Sequence, residues 1–424
     1  MNKLVKSVKG TRDFYPEEMA LRRWLIGKIQ QTSEAFGYQE YDGPCIETLD
    51  LYAAKSGEEL VKEQAFVFSD RSGENIALRP ELTPTLARMV AAKQNELTFP
   101  LRWWSFGPFW RYERPQRGRS REFFQWNIDL IGAESVLADA ELVAVAATFL
   151  KNVGLTDRQV QILVNNRQLV DTALSRIGID QAQKPSILKM IDRIDKQPSE
   201  VWDENVLGLG LTQSQLQKLK ELLADQELWQ ESVELSEFFQ AVEWLGVSAY
   251  VSYDPKIIRG LDYYTGTVFE ARDTAGNFRA ILGGGHYSNL VADVGGKPLP
   301  GVGFAMGDVV IQLMLEAHDL LPWQTGDQDQ VFVTIFDEAT RAVSCQVAAQ
   351  LRSAGFKVIT YPEVDKLAKQ LKYADRIGAK AALVIGPDEL VRDEVVVKNL
   401  RTREQEVVPQ KELESKLRSL LAQE

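Results

Sequence analysis

Histidine is nearly missing from this chain: its 424 residues contain two, His286 and His318. That scarcity argues against a histidine-rich metal site and against a catalytic histidine relay. Cysteine is equally scarce. Cys45 and Cys345 lie far apart, with neither metal-ligand nor disulfide-framework spacing, so both read as small buried hydrophobes. No apolar run approaches membrane-spanning length and no signal-peptide core opens the chain, so a cytosolic location and no membrane role are expected. Basic residues are in deficit, 49 against 60 acidic ones, for a net charge of −11. This balance argues against DNA binding or non-specific coating of nucleic acid; an RNA partner would have to meet local basic patches. The length itself predicts two or three domains.

What is present is arginine, concentrated in one place. Arg111, Arg114, Arg117, Arg119 and Arg121 crowd into the stretch from Trp110 to Gln125. Polarity alternates with period two on both sides. Upstream, Trp104, Phe106, Trp110 and Tyr112 alternate with Ser105, Arg111 and Glu113; downstream, Phe124, Trp126, Ile128 and Leu130 alternate with Gln125, Asn127 and Asp129. Two such strands around a Pro/Gly/Arg connection predict a hairpin with one apolar face and one face of arginine, amide and carboxylate. Guanidinium is a planar fork of donors, and several of them above a polar floor suit phosphate or carboxylate.

The run Arg111-Tyr112-Glu113-Arg114-Pro115-Gln116-Arg117-Gly118-Arg119 resembles the second signature motif of class II aminoacyl-tRNA synthetases, in the form found in the histidyl-tRNA synthetase family. Other segments fall in the family's order. Lys9-Gly10-Thr11-Arg12-Asp13 precedes a helix opened by Pro16, with Glu17 and Glu18 at its positive end and Leu21, Leu25 and Ile29 on its buried stripe. Tyr41 to Glu47 fits the place of motif 1, whose helix and strand build the dimer interface in the family. Ile76 to Pro80 predicts a short strand, followed by Thr83 as N-cap and Pro84 as first helical residue. Glu81 sits at that corner, where a carboxylate either complements the helix dipole or reaches a ligand. Resemblance implies that Glu81 and Thr83, with Gln125, hold the α-amino group of histidine.

Further along, Leu216, Leu219 and Leu223 after Thr212 predict an amphipathic helix within a helical insertion spanning 166–235. Arg259-Gly260-Leu261-Asp262-Tyr263-Tyr264 follows, then Gly283-Gly284-Gly285-His286-Tyr287-Ser288. By resemblance, Arg259 bridges the ATP α-phosphate and the histidine carboxylate, Tyr264 and Tyr287 read the imidazole ring, and Asp129 accepts its N–H. Arg111, Glu113, Arg119 and Arg259 would hold ATP, assisted by Mg²⁺ on the outer phosphates. The family has arginine at the His286 position and aspartate at Ser288; His286 reads as a packing or hydrogen-bonding group, not a base. Gly301 to Ile311 matches motif 3 in outline, but Val310 stands where the family has its γ-phosphate arginine.

Past a predicted linker at 321–327, alternating strands and helices predict a small α/β domain with a parallel core over 328–424. Lys366, Lys369, Lys372 and Lys398 are either a solvated face or an RNA contact, and Lys369 to Ala374 resembles an anticodon-binding domain. The expected fold is therefore α+β: an antiparallel class II catalytic core at 1–165 and 236–322, the helical insertion, and the C-terminal domain. The resemblance implies a homodimeric, ATP-dependent ligase that joins histidine to tRNA(His). The alternative, favoured by Val310, is a histidine-binding regulatory subunit of ATP phosphoribosyltransferase that charges no tRNA.

Overall fold

The period-two alternation on either side of the arginine-rich connection becomes a pair of strands, ending at Trp110 on the upstream side. The computed structural model describes residues 5–53, 64–258, 264–289, 291–322 and 329–422. The chain divides into two compact units, Met1–Tyr15 with Arg22–Leu321, and Pro16–Leu21 with Pro322–Glu424.

The strands of the first unit are β1 Gln39–Glu40, β2 Ile46–Thr48, β3 Phe66–Ser69, β4 Asn75–Leu78, β5 Leu101–Trp110 and β6 Glu122–Ile131. They continue with β7 Val160–Asn166, β8 Val251–Tyr253, β9 Tyr264–Asp273, β10 Leu282–Tyr287 and β11 Gly301–Gly307. Eight of them form one sheet in the order β1-β5-β6-β11-β10-β9-β7-β8, antiparallel through its centre, while β2-β4-β3 form a second, small sheet. Helices α1 Pro16–Ala35, α2 Leu49–Ala53, α3 Thr83–Lys93 and α4 Val136–Asn152 come first. Then follow α5 Arg167–Arg176, α6 Lys184–Ile191, α7 Ser199–Gly208, α8 Gln213–Ala224, α9 Val233–Trp244 and α10 Asp308–Ala317.

Strand register decides what each face carries, because paired residues point the same way. On one face Trp126, Ile128 and Leu130 of β6 sit opposite Met306, Phe304 and Val302 of β11. The apolar helix α4, capped by Ser135, buries itself against this face, with the Trp126 ring 5.1 Å from Phe149 and 4.9 Å from Phe304. On the other face Gln125, Asn127 and Asp129 sit opposite Gly307, Ala305 and Gly303, and Gly303 in turn opposite Gly285. Small residues in mid-sheet leave a hollow between a polar strand and β9.

That polar face is less open than the alternation implied. Ser105, Asn127 and Asp129 are buried, because α3 packs Leu86 and Val90 against Leu101 and Ile131, and Ala87 against Tyr264 and Tyr287. Tyr112, expected on the apolar face, lies beyond the end of β5 and is exposed, edge-on to Phe66 and beneath Arg121. Thr83 is the first residue of α3 and not its cap; Leu82 holds the cap position in helical conformation and no side chain caps the end. Neither cysteine is in a core: Cys45 is half-buried, and Cys345 is exposed on a helix that buries Ser344, Val347, Ala348 and Leu351 instead.

Residues 170–223, joined by Ile258, build a separate apolar cluster around Ile187, Trp202, Leu216, Leu219 and Leu223, and α8 begins with the predicted Thr212 cap as a full capping box with Gln215. The second unit has β12 Gln330–Val333, β13 Lys357–Thr360, β14 Ala381–Val384, β15 Glu394–Asn399 and β16 Gln405–Pro409. Its sheet, ordered β13-β12-β14-β15-β16, is parallel only among the first three strands; β15 and β16 return antiparallel, so the expected parallel core is half the story. In its helix Leu367–Arg376, Lys369 is ion-paired to Asp365, while Gln370 is buried and its amide clamps the backbone of Ile335 and Asp365. Among the described residues no helix is long and apolar enough to cross a membrane.

Candidate active site

The β5–β6 hairpin projects its arginine-rich connection over the hollow. A cavity of about 730 Å³ opens there, floored by Gln125, Gly283 and Ala305 and walled by Arg111, Arg119 and Glu270. Arg111 is positioned by its Nε, which donates to the Pro80 carbonyl at 3.0 Å, and by the Phe123 ring 5.3 Å away. This bond draws the Arg79–Glu81 corner onto the hairpin. Arg79 behind it is fully buried, donating to Asp42, to the Gly43 carbonyl and to the Pro108 carbonyl. Glu81 is buried and Thr83 half-buried at the same corner. In the connection itself Arg119 Nε meets Glu113 Oε2 at 2.5 Å.

Deeper on the same face lies a carboxyl. Asp129 Oδ1 accepts a hydrogen bond from the Tyr287 hydroxyl at 2.9 Å, and Tyr264 packs with Tyr287 beneath α3. Burial pushes Asp129 up to about 7 against the partial relief of the tyrosine donor. Its neighbour Gly303 has no room for a side chain: a Cβ there would stand 2.1 Å from Asp129 Oδ1. Between Asp129 and Gln125, Asn127 Nδ2 is buried with no hydrogen-bond partner among the described residues, which makes it an unspent donor on the same sheet face.

His286 points the other way, into the core, where its Nδ1 lies 2.9 Å from Asp139 Oδ1 of α4. Burial would depress its pKa, but the bond and charge of Asp139, with Glu234 and Glu134 behind, outweigh that and raise it. Ser288 shares a hydrogen bond with Thr265 at 2.9 Å. Asp308, at the start of α10, accepts from the Phe124 amide and from Arg12, tying the chain's opening segment and the hairpin to motif 3.

Residues 10–308 match a family model described as histidyl-tRNA synthetase, and residues 330–420 match one described as an anticodon binding domain. A histidine–tRNA ligase of Opitutus terrae is 38% identical over 98% of this chain and 99% of its own. The chloroplastic/mitochondrial histidine–tRNA ligase of Arabidopsis thaliana is 37% identical over 97% of this chain and 86% of its own. The chain belongs to the histidyl-tRNA synthetase family. A histidyl-tRNA synthetase crystal structure from a Nostoc species, 26% identical, superposes with a TM-score of 0.83 over 99% of this chain and 100% of that one. The α+β class expected from the sequence is the fold observed.

Within this family frame, the cavity brings together Arg111, Glu113, Arg119 and Gln125 of the residues chosen from sequence. Asp129, Tyr264 and Tyr287 form the adjoining buried patch, and Glu81 and Thr83 stand at the corner bonded to Arg111. Arg259 lies outside the described residues, as does most of the predicted linker. Val310 lines the cavity wall, just past the end of the family-model match. Sequence reasoning passed over Asn127, Glu270 and Arg279. Asn127 was visible in the alternation, yet nothing in a single sequence marks an amide as unpaired. Glu270 and Arg279 face the cavity only because β9 and β10 pair across the sheet.

Proposed function

We propose that this chain activates histidine with ATP to histidyl-adenylate and transfers the histidyl group to tRNA(His). The observation that carries the reading is one cavity in which Arg111 and Arg119 overhang a glycine-lined floor beside the buried Asp129–Tyr287 pair. Cations at one end and an acceptor at the other suit a triphosphate and an imidazole respectively.

In the first step a histidine carboxylate oxygen attacks the α-phosphorus and pyrophosphate leaves. In the second, a hydroxyl at the tRNA 3′ end attacks the adenylate carbonyl and AMP leaves. Neither step needs a protein nucleophile, so the side chains contribute placement and charge neutralisation. Arg111 stabilises charge on the α-phosphate, a role Arg259 shares by family resemblance, while Glu113 and Arg119 order the nucleotide. Glu81, Thr83 and Gln125 receive the α-amino group. Asp129 accepts the imidazole N–H, held by Tyr287, with Tyr264 against the ring. A buried acceptor placed for an N–H selects against isosteres that lack one, because its pairing would be lost.

Mg²⁺ fits this wall. Glu113 and Glu270, each already paired with an arginine, are carboxylates of the cavity that would face the ion, which would be held mainly by phosphates and water. When bound it would neutralise charge on the outer phosphates. For the whole molecule, we propose a cytoplasmic homodimer joined through the small sheet, where Ile46, Val67 and Phe68 expose apolar surface. The 166–235 helices are assigned as an insertion facing the tRNA acceptor end, and 328–424 as the anticodon-binding domain. A regulatory subunit is not favoured, since relatives named as ligases align over the full chain.

Histidine-dependent exchange of pyrophosphate into ATP, followed by charging of tRNA(His), tests the proposal. Exchange and charging are expected; histidine binding with neither would overturn it.

A further inference from the structure

Among the described residues four arginines line the cavity, and three of them are tied down. Arg111 donates to the Pro80 carbonyl, Arg119 is paired with Glu113, and Arg272 is paired with Glu270 and with Asp195. Arg279 is different. It is exposed on the cavity wall and makes no ion pair or hydrogen bond with the described residues. The carboxylates that act on it, Glu113 and Glu270, already serve Arg119 and Arg272. Desolvation by the cavity walls and the positive charge of Arg119 both work against its ionised form. Two like charges on one wall, with one of them unpaired, are relieved by an anion between them.

The position of Arg279 also answers the gap at 310. A Cβ on Gly118, in the hairpin connection, would stand 3.6 Å from Val310 Cγ2 and 3.8 Å from Arg279 Cδ, so the two side chains flank the same point of the loop. The loop is braced there, with the Arg117 guanidinium 5.6 Å from the Phe278 ring, one residue before Arg279. We propose that Arg279 holds the outer phosphates of ATP, supplying from the β9–β10 side the cation that is absent at Val310. This deepens the ATP-dependent reading above and rests on it.

The test uses the full chain, with pyrophosphate exchange for activity and calorimetric titration of ATP for binding. For Arg279→Ala, the KM for ATP is expected to rise on the order of ten- to a hundredfold, the range of a lost charge-assisted contact. The KM for histidine should stay within about threefold, because the amino-acid end keeps all its contacts. Arg279→Lys should recover part of the loss, since it restores the charge but not the fork. An unchanged ATP KM in Arg279→Ala, or equal rises for ATP and histidine, would overturn the assignment. Absence of exchange in the parent protein would instead overturn the ligase reading; the ATP titration would still decide on Arg279, supporting it if Arg279→Ala weakens binding and refuting it if not.

Discussion

Replacing Asp129 with asparagine should make this protein more stable and a worse enzyme. The carboxyl is buried under α3, and its pKa rises from 3.8 to about 7. A folded-state value above the unfolded one means the native protein binds that proton more tightly, so ionising Asp129 costs stability as pH rises between the two values. Roughly three units at 1.36 kcal/mol each give a cost of about 4 kcal/mol, complete above pH 7 and absent below pH 3.8. Asparagine keeps the shape, can still accept from Tyr287, and removes the charge. Urea unfolding of parent and variant should therefore show a gain of about 4 kcal/mol at pH 8 that shrinks to less than half at pH 5. Tyr287→Phe should act in the opposite sense, since losing the donor raises the acid further and deepens the alkaline cost. In exchange assays Asp129→Asn should raise the KM for histidine about tenfold or more, the range for losing a charged acceptor. A stability difference that does not vary between pH 5 and 8 would refute the reasoning, whatever happens to activity.

Gly303→Ala puts a Cβ 2.1 Å from Asp129 Oδ1, and displacing the carboxylate should cost about 1–3 kcal/mol and impair histidine use together, read by denaturation and by exchange at varied histidine. His286→Gln should cost about 1–3 kcal/mol at pH 6, measured by urea unfolding. Because the folded-state pKa of His286 is raised, that contribution is whole below the unfolded value of 6.5 and fades as pH climbs through the folded one. Arg79→Met leaves the Gly43 and Pro108 carbonyls without their donor and should lower stability by about 2–5 kcal/mol in the same assay, with the already exposed Asp42 contributing little of it.

The parts of this molecule that could be read from sequence are those fixed by local periodicity. The hairpin alternation, the Pro16 start of α1 and the Thr212 cap of α8 each depend on a few neighbouring residues, and each appears in place. What escaped is set by partners remote in sequence. Tyr112 looked like the next residue on an apolar face, but β5 ends at Trp110 where the backbone turns toward Arg121. Thr83 had the chemistry of a cap, but the Arg79–Glu81 corner is held by Arg111 and Trp110, which moves the helix start. Asp129 could be chosen as an imidazole partner without its bond to Tyr287 being foreseeable, because 158 positions separate the two.

In the proposed function one sheet receives two very different ligand groups. At its outer end the floor is bordered by guanidinium groups, that of Arg279 disfavoured there by desolvation and by Arg119, which the proposed reading matches to phosphate. At its inner end α3 seals the face, and the chain keeps there a carboxyl whose ionised form is disfavoured, the group proposed to accept the imidazole N–H. Glycine at 285 and 303 lets the Tyr264 ring and the Asp129 carboxyl lie close over the strands, and in the proposed reading the reacting carboxylate and α-phosphate meet toward Gly283. If Asp129 reads the imidazole as proposed, the stability forgone there serves selection, and the net acidity of the chain is offset locally by the arginines that line the hollow.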